Sequence, residues 1–465
     1  MKIELAKNEI IHFVGIGGIG MSGLSLIMKG KGFKVQGSDI SLNKNIDRLK
    51  KENIKIFIGH KKKNLKQATI VVISSAIKKN NPELIAAKKN KIPIYKRGDM
   101  LANIVSLMKN VVVAGSHGKT TTTSLISNIF TCAEIDPTVI NGGVINSFRG
   151  SAKLGKGDWC ILESDESDGS FIKIPFTYSI ITNIDKEHLD YYKSFEKLKE
   201  NFIDFIKKTP SFGKTFICLD DKVNAKIIKK IDILNYYTYG TNISSNFRII
   251  NIVQKDNFSK FDLKIKLHGT KVNLIKNIKI PLIGLHNIRN STAAVAVAYS
   301  VGIPIRLIKK GLENFSGVQR RFTKVFSYQN VNFFDDYAHH PTEIRNVLDG
   351  VRNVYKDKKI VCIFQPHRVS RLKNLHKDFS YSFKKADTVI LCPIFKAGEN
   401  INLNFTYKFF AKKIIKNSSV ELIQINNYYD LLKYVKQNIY GNKMVIGMGA
   451  GSISSWIRDL ARQLN

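Results

Sequence analysis

The sequence predicts an α/β chain of three domains: a Rossmann-like N-terminal domain, a central P-loop ATPase-type domain, and a C-terminal Rossmann-like domain. Three observations carry that reading. Short apolar runs alternate with amphipathic stretches of helical length from end to end, the pattern of parallel strands joined by crossover helices. A chain of 465 residues exceeds what one hydrophobic core usually supports. Two strand–glycine-loop–helix starts, "HFVGIGGIGMSG" (12–23) and "VVVAGSHGKTTTT" (111–123), each open a new α/β segment, and a third begins near residue 318. The expected domains are 1–106, 107–317 and 318–465.

The elements follow in order. "IIHFVGI", "KVQGSD", "IKIFIG" and "ATIVVISSAI" read as successive strands of the first segment. In the second, "NVVVAG", "DWCILES" and "YSIITNID" are strands, and residues 213–283 are more β-rich and irregular, as an accessory sheet would be. "NSTAAVAVAYSVG" is a helix, and "GLENFSGVQRRF" reads as a linker. "VNFFDDYA", "KIVCIFQPH", "DTVILCPI" and "KMVIGMGAG" are the strands of the third segment. No repeat of solenoid length is present.

Composition narrows the class. A hydrophobic content of 43% with only ten prolines describes a folded globular chain. Cys132, Cys160, Cys218, Cys362 and Cys392 are odd in number, far apart and never spaced C-x-x-C, so neither a disulfide framework nor a zinc site is indicated. "MKIELAKNEIIHF" has no apolar core of a signal peptide, and "STAAVAVAYSVGIPI" is too short and interrupted to span a bilayer. A cytoplasmic protein without membrane insertion is expected. The formal charge of +37 is the odd feature. Nucleic acid is one explanation. The lysines, however, are scattered and keep company with Ile and Asn, which reads as compositional drift, and no specific nucleic-acid partner is expected.

The chemistry-bearing stretches follow the strands. Gly15, Gly17 and Gly20 spell G-x-G-x-x-G, and Asp39 follows where a ribose-binding acid sits in dinucleotide enzymes. "GSHGKT" (115–120) is a second phosphate-type loop: backbone N–H groups at a helix N-terminus face phosphate oxygens, Lys119 reaches the β- and γ-phosphates, and Thr120 holds Mg²⁺. Val113 stands at the first glycine position of the usual pattern. Glu163 in "LESDESDGSF" ends an apolar run, where a carboxylate can bind Mg²⁺ opposite the loop, and Asp165, Glu166 and Asp168 crowd the same turn. The bland alternative there is a solvated acidic loop. His188 in "TNIDKEHLDYY", with Asp185 and Asp190 nearby, suits a second divalent ion or an anionic substrate group. "DDYAHHPTEI" and "FQPHRVSRL" offer Tyr337, His339, His340, His367, Arg368 and Arg371; arginines read carboxylates as a bidentate fork. Arg320 and Arg321 stand at the linker, where a closing domain would bring a cation to the γ-phosphate.

These stretches, with "DPTVINGG", "GLHNIRNSTAAVAVA", "GVQRRF" and "KAGE", run in one order along nearly the whole chain. Together they resemble the Mur ligases of bacterial cell-wall synthesis. "YAHHPTE" with "QPHR" is similar to the branch that adds the first amino acid. The resemblance implies ATP-dependent joining of L-alanine to the lactyl carboxylate of UDP-N-acetylmuramate through an acyl phosphate, with Mg²⁺. It also accounts for two phosphate loops, because there are two phosphorylated substrates. It implies that Gly15, Gly17, Gly18, Gly20, Asp39, Ser74, Asn141 and Gly142 serve the UDP-sugar, not NAD. Gly115, Ser116, His117, Gly118, Lys119, Thr120, Thr121, His286, Asn287, Asn290 and Arg321 would serve ATP. Thr120, Glu163 and His188 would hold metal, with Lys119, Glu163, His188 and His340 acting in catalysis. Tyr337, His367, Arg368 and Arg371 would form the alanine pocket. The family closes its third domain during turnover, and a monomer or weak homodimer is expected. The chain departs from the family's habit at Ser116, Leu285, Val369 and Ser452. Three other readings stand beside this one: a sibling that attaches a preformed peptide, an NAD-dependent oxidoreductase, and a polyanion-binding ATPase.

Overall fold

The computed structural model describes residues 8–74, 76–148, 150–232, 235–400 and 402–464. The first seven residues of the leader reading, and Ser75 within "ATIVVISSAI", lie outside them. Three sheets form the α/β fold. By its internal contacts the chain divides into two compact units. The first is Met1–Ile252, Phe261–Ile280 and Arg289–Ser316; the second is Val253–Lys260, Pro281–Ile288 and Gly317–Asn465.

The first unit contains a five-stranded parallel sheet in the order Lys55–Ile58, Lys34–Asp39, Ile10–Val14, Ile70–Ile73, Ile94–Lys96. Its central strand buries Ile11, Phe13 and Val14, because helices cover both faces of a parallel sheet. A Cβ at Gly37 would stand 2.6 Å from the Phe13 carbonyl and from Ile16 Cδ1, so this glycine lets the first phosphate-type loop lie close on the sheet.

A ten-stranded sheet follows. Its order is Asn273–Ile280, Phe258–Ile265, Phe247–Lys255, Tyr236–Gly240, Lys214–Cys218, Tyr178–Ile181, Lys109–Ala114, Trp159–Glu163, Thr138–Ile145, Gly150–Lys153. The strand Lys109–Ala114 lies between Tyr178–Ile181 and Trp159–Glu163, parallel to both. The connections that leave its carboxyl end therefore open a crevice, where ligands bind in such sheets. The β-rich stretch after residue 213 extends this sheet instead of forming a separate one: Tyr236–Gly240 pairs parallel with Lys214–Cys218 and with the start of Phe247–Lys255.

The second unit's sheet runs Thr323–Tyr328, Val331–Asp336, Lys443–Met448, Lys359–Phe364, Thr388–Leu391, Glu421–Gln424. Its first pair is antiparallel and the rest are parallel. The edge strands Thr323–Tyr328 and Glu421–Gln424 escape the sequence reading because half-exposed edge strands lack a continuous apolar run; the hairpin Thr138–Ile145/Gly150–Lys153 is largely buried, but its glycines, Asn and Ser hide it. The helix expected from Asn290 starts at Leu285, since its first turn is polar. The expected linker begins inside the helix Ile305–Glu313, which buries Ile308 and Leu312. Among the described residues no helix is long and apolar enough to cross a membrane.

Candidate active site

In the first unit the chain leaves the strand Ile10–Val14 through Gly15, whose φ of +81° suits glycine. The N–H groups of Gly15 and Ile16 both donate to Ser38 O, at 2.8 and 3.0 Å. Gly17 N–H donates to Asp39 Oδ2 at 2.8 Å, and a Cβ there would stand 2.6 Å from Asn43 Nδ2. Gly18 then caps the helix Ile19–Gly30. Asp39, expected to read a sugar, here closes the loop; its other oxygen accepts Ile40 N–H at 2.8 Å. Beneath the loop lies a buried polar network absent from the sequence reading. Ser38 Oγ donates to Glu83 Oε2 at 2.6 Å, Asn64 Nδ2 to Glu83 Oε1 at 2.5 Å, and His60 Nδ1 is 3.2 Å from the same carboxyl. Burial raises the Glu83 carboxyl, but His12, Ser38 and Asn64 outweigh it and hold the group below the usual range.

The second loop follows Lys109–Ala114. Gly115 has φ of +122°, and any Cβ there would collide with Thr182 Oγ1. Ser116 N–H donates to Asn183 O and His117 N–H to Asn183 Oδ1, both at 2.9 Å, while His117 Nε2 lies 3.1 Å from Asp185 Oδ2. Gly118, at φ +83°, caps the helix Lys119–Cys132, whose first turn holds Thr120 and Thr121 buried. A Cβ at Gly118 would stand 2.6 Å from Asn290 Oδ1, so the loop and the helix Leu285–Val301 meet there only because the glycine is bare. Arg289, on the same helix, donates through Nε to Asp220 Oδ2 at 2.6 Å, beyond the strand Lys214–Cys218. Lys119 Nζ folds back on the loop, donating to Gly115 O at 2.6 Å and to Glu166 Oε2 at 2.8 Å. Burial works against the ammonium, yet the carboxylates of Glu166, Asp165 and Glu163 hold it above the usual lysine range. Burial pushes the Glu166 carboxyl up to about 7, with the Lys119 charge opposing.

Glu163 ends its strand with Oε2 accepting Gly142 N–H at 2.8 Å. His188 Nε2 is 3.8 Å from Glu166 Oε1. Asp165, Glu166 and His188 present ligand atoms all within 4.8 Å of one another, and the buried Glu166 Oε1 has no hydrogen bond. Hard carboxylate oxygens beside an imidazole fit a divalent cation. The sequence reading named His188 for metal and noted Asp165 and Glu166 only as neighbours.

A cavity of about 300 Å³ runs from the first loop's helix start to the end of the strand Trp159–Glu163. Gly18, Gly20, Ser74, Asn141 and Gly142, all expected at the UDP-sugar, share its walls with Glu163. Arg97 lines it too, its Nη1 3.2 Å from where a Cβ on Gly20 would stand. Sequence reading missed Arg97, which sits in no motif; its place at the start of the helix Arg97–Val105 is the only signal.

The second unit gathers a ring cluster. Tyr337 meets His339 edge-on at 5.0 Å, His339 meets His367 edge-on at 5.9 Å, and His367 stacks on Phe395 at 5.5 Å. Arg320 and Arg321 lie 4.7 and 5.5 Å over the Tyr337 ring, and Arg320 Nη2 also donates to Gly449 O at 2.6 Å. Arg371 Nη1 is 3.5 Å from His367 Nδ1. Arg368 caps the helix Val369–Ser380 with φ of +68°. Burial pushes His367 down to about 4, with His339, Arg371 and Arg368 adding to it. His340, expected near the phosphates, is buried and caps the helix Pro341–Val354, its Nδ1 accepting Thr342 N–H at 3.4 Å. Asn287 Nδ2 donates to Ile283 O at 2.7 Å, and His286 lies over Gly284, 2.5 Å from where a Cβ would stand. Ser452 bonds Gln365 at 3.0 Å.

Comparison with known proteins agrees along the whole chain. The description "Mur ligase family, catalytic domain" matches residues 10–109, "Mur ligase middle domain" residues 113–298, and "Mur ligase, glutamate ligase domain" residues 320–451. A UDP-N-acetylmuramate–L-alanine ligase of Pelagibacter ubique (strain HTCC1062) is 65% identical over 460 residues, covering 99% of each chain. One of Bartonella bacilliformis is 41% identical, covering 100% of this chain and 98% of its own. Among solved structures, a UDP-N-acetylmuramate-alanine ligase from Thermotoga maritima superposes with a TM-score of 0.79 at 28% identity, over 97% of this chain and 98% of that one. A murein peptide ligase from Psychrobacter arcticus, at 21% identity and a TM-score of 0.70 over 98% of both chains, shares the fold.

Proposed function

The chain belongs to the Mur ligase family, and on that premise we propose how its residues share the work of joining L-alanine to UDP-N-acetylmuramate. The reaction is ATP-dependent amide formation. The lactyl carboxylate attacks the γ-phosphate, giving an acyl phosphate and ADP; the alanine amine then attacks the acyl carbon and phosphate leaves. A free carboxylate is a poor acyl donor, so the enzyme's part is to position three substrates and offset their charge.

Residues 1–106 hold the UDP-sugar, 107–317 the ATP and 318–465 the amino acid. The N–H groups of Gly15, Ile16 and Gly17 are taken by Ser38 and Asp39, so the diphosphate meets the first turn of the helix at Ile19 and Gly20, with Arg97 as the nearby cation. Gly115 to Thr121 cradle the ATP phosphates, and Lys119 moves its contacts from Glu166 to the β- and γ-phosphates. Thr120, Glu163, Asp165, Glu166 and His188 are the groups that would hold Mg²⁺, which supplies charge neutralisation at the transferring phosphoryl group. Arg368 and Arg371 pair with the alanine carboxylate beside Tyr337 and His367, and Arg321, His286, Asn287 and Asn290 serve the nucleotide. His340 keeps its helix and the Tyr337–His339 turn in register. We place the enzyme in the cytoplasm as a monomer or weak homodimer.

The observation that carries this assignment is the cavity in which the diphosphate-loop glycines and Glu163 share walls, so that one ligand can run from the nucleotide loop to the phosphoryl-transfer carboxylate. The test is phosphate release from ATP and Mg²⁺ with UDP-N-acetylmuramate, with and without L-alanine, followed by mass spectrometry. Release that needs both, with a product heavier by one alanyl residue, is expected. Turnover with a tripeptide but not alanine would point to the peptide-adding sibling.

A further inference from the structure

Phe395 is a large apolar side chain left 38% exposed, so core packing does not explain its placement. Three features nevertheless fix it. Its N–H donates to Pro366 O and its carbonyl accepts Arg368 N–H, both at 2.8 Å, a parallel bridge around His367. Its ring lies flat on the His367 imidazole, with planes 10° apart and centroids 5.5 Å apart. Gly451 approaches so closely that a Cβ there would stand 2.5 Å from Phe395 Cγ.

We propose that Phe395 is a positioning residue for the acceptor amino acid: its ring holds the His367 imidazole in one plane and at one depth beside Arg371. This rests on the assignment of His367 and Arg371 to the alanine pocket. The chemistry of the cluster gives the stack a purpose. The groups around His367 are His339, Arg371, Arg368 and, of opposite charge, Glu399, which accepts Ser370 N–H at 2.9 Å and Ser370 Oγ–H at 2.6 Å. Two guanidiniums already supply positive charge for a carboxylate. A third charge on the imidazole would repel them, and burial under the Phe395 ring opposes that charge. With Arg371 N–H facing Nδ1, the neutral ring carries its proton on Nε2 and can donate one directed hydrogen bond to the acceptor. An imidazole free to rotate would lose that direction, and the acceptor's amine would meet the acyl carbon less often in line.

The test uses the full-length enzyme with Phe395→Leu and Phe395→Met, which keep apolar bulk without a ring, and Phe395→Tyr, which keeps the ring. The Leu and Met variants should raise KM for L-alanine about tenfold, a loss of roughly one hydrogen bond's worth of orientation. The KM values for ATP and UDP-N-acetylmuramate should hold, and Phe395→Tyr should match the parent. Histidine NMR should show the His367 pKa rising from about 4 toward the ordinary value in the Leu variant. His367→Ala separates the two levels: if it leaves the alanine KM unchanged, the pocket assignment fails. If His367→Ala raises that KM and a folded Leu or Met variant does not, the role of Phe395 is overturned.

Discussion

The loop at Gly15–Gly20 and the loop at Gly115–Thr120 both leave a parallel strand and enter a helix, yet only the second carries a cation of its own. The first is tied down by its own sheet, through Ser38 O and the Asp39 carboxylate, and has Arg97, on a different helix, beside Gly20 in the same cavity. The second is tied to the neighbouring loop through Thr182, Asn183 and Asp185, and stores Lys119 against the buried Glu166. The difference matches the two tasks proposed for the loops. A diphosphate ester that is bound but not cleaved needs N–H groups and a steady nearby cation. A transferring phosphoryl group needs a cation inside the loop that can leave one anion for another as charge builds up.

The largest expected effect tests the stored cation. Lys119→Ala should lower kcat by at least about 10³-fold, the scale of losing a principal transition-state charge contact. It also leaves Glu166 buried without its partner, which costs about 3 kcal/mol or more of stability. Lys119→Ala with Glu166→Gln should recover the lost Tm and recover no turnover. If the double variant regained activity, Lys119 would be only Glu166's counter-ion and the contrast between the loops would collapse.

Much of this was legible in the sequence, for a physical reason. Gly15, Gly115 and Gly118 sit at positive φ or against neighbours that forbid a Cβ, so the chain can form those turns in few other ways and the motif survives as text. Parallel strands buried on both faces also announce themselves, as Val111 to Ala114 do. What was not legible is what arrives from elsewhere in the chain. Arg97 carries no spacing relation to Gly20, and Glu83 looks like an ordinary first-turn acid after Asn81–Pro82, although it anchors Ser38 beneath the loop. Asp39 was legible as a residue but not in its bonding: ribose binding and loop closure ask for the same acid at the same place. The edge strands were lost because half-exposed strands lack the apolar run that marks a buried one.

A middle-sized effect tests the borrowed cation. Arg97→Ala should raise KM for UDP-N-acetylmuramate about 10- to 100-fold, as expected for a charge-assisted contact to a phosphate. The kcat at saturating sugar nucleotide and the KM for ATP should change little. Steady-state kinetics with each substrate varied in turn separate the outcomes. A shift in the ATP KM instead would mean that Arg97 serves the second loop, and that the two loops draw on one cation after all.

The smallest effect probes the tie that distinguishes the first loop from the second. Both oxygens of Asp39 accept backbone N–H groups, from Gly17 and from Ile40, each at 2.8 Å. In Asp39→Asn one of those donors must face an amide NH₂, so one bond is lost and a donor is left opposed to a donor. In this half-buried place water takes up part of the loss, and about 1 kcal/mol remains, or roughly a fivefold rise in the KM for UDP-N-acetylmuramate. Because the acid acts by shaping the loop, the same factor should appear for UDP itself, measured as a competitive inhibitor. Were Asp39 reading the ribose hydroxyls directly, the loss would instead be larger for UDP than for pyrophosphate. Equal weakening of UDP and pyrophosphate places Asp39 with the loop; weakening of UDP alone places it with the sugar and removes the difference in how the two loops are held.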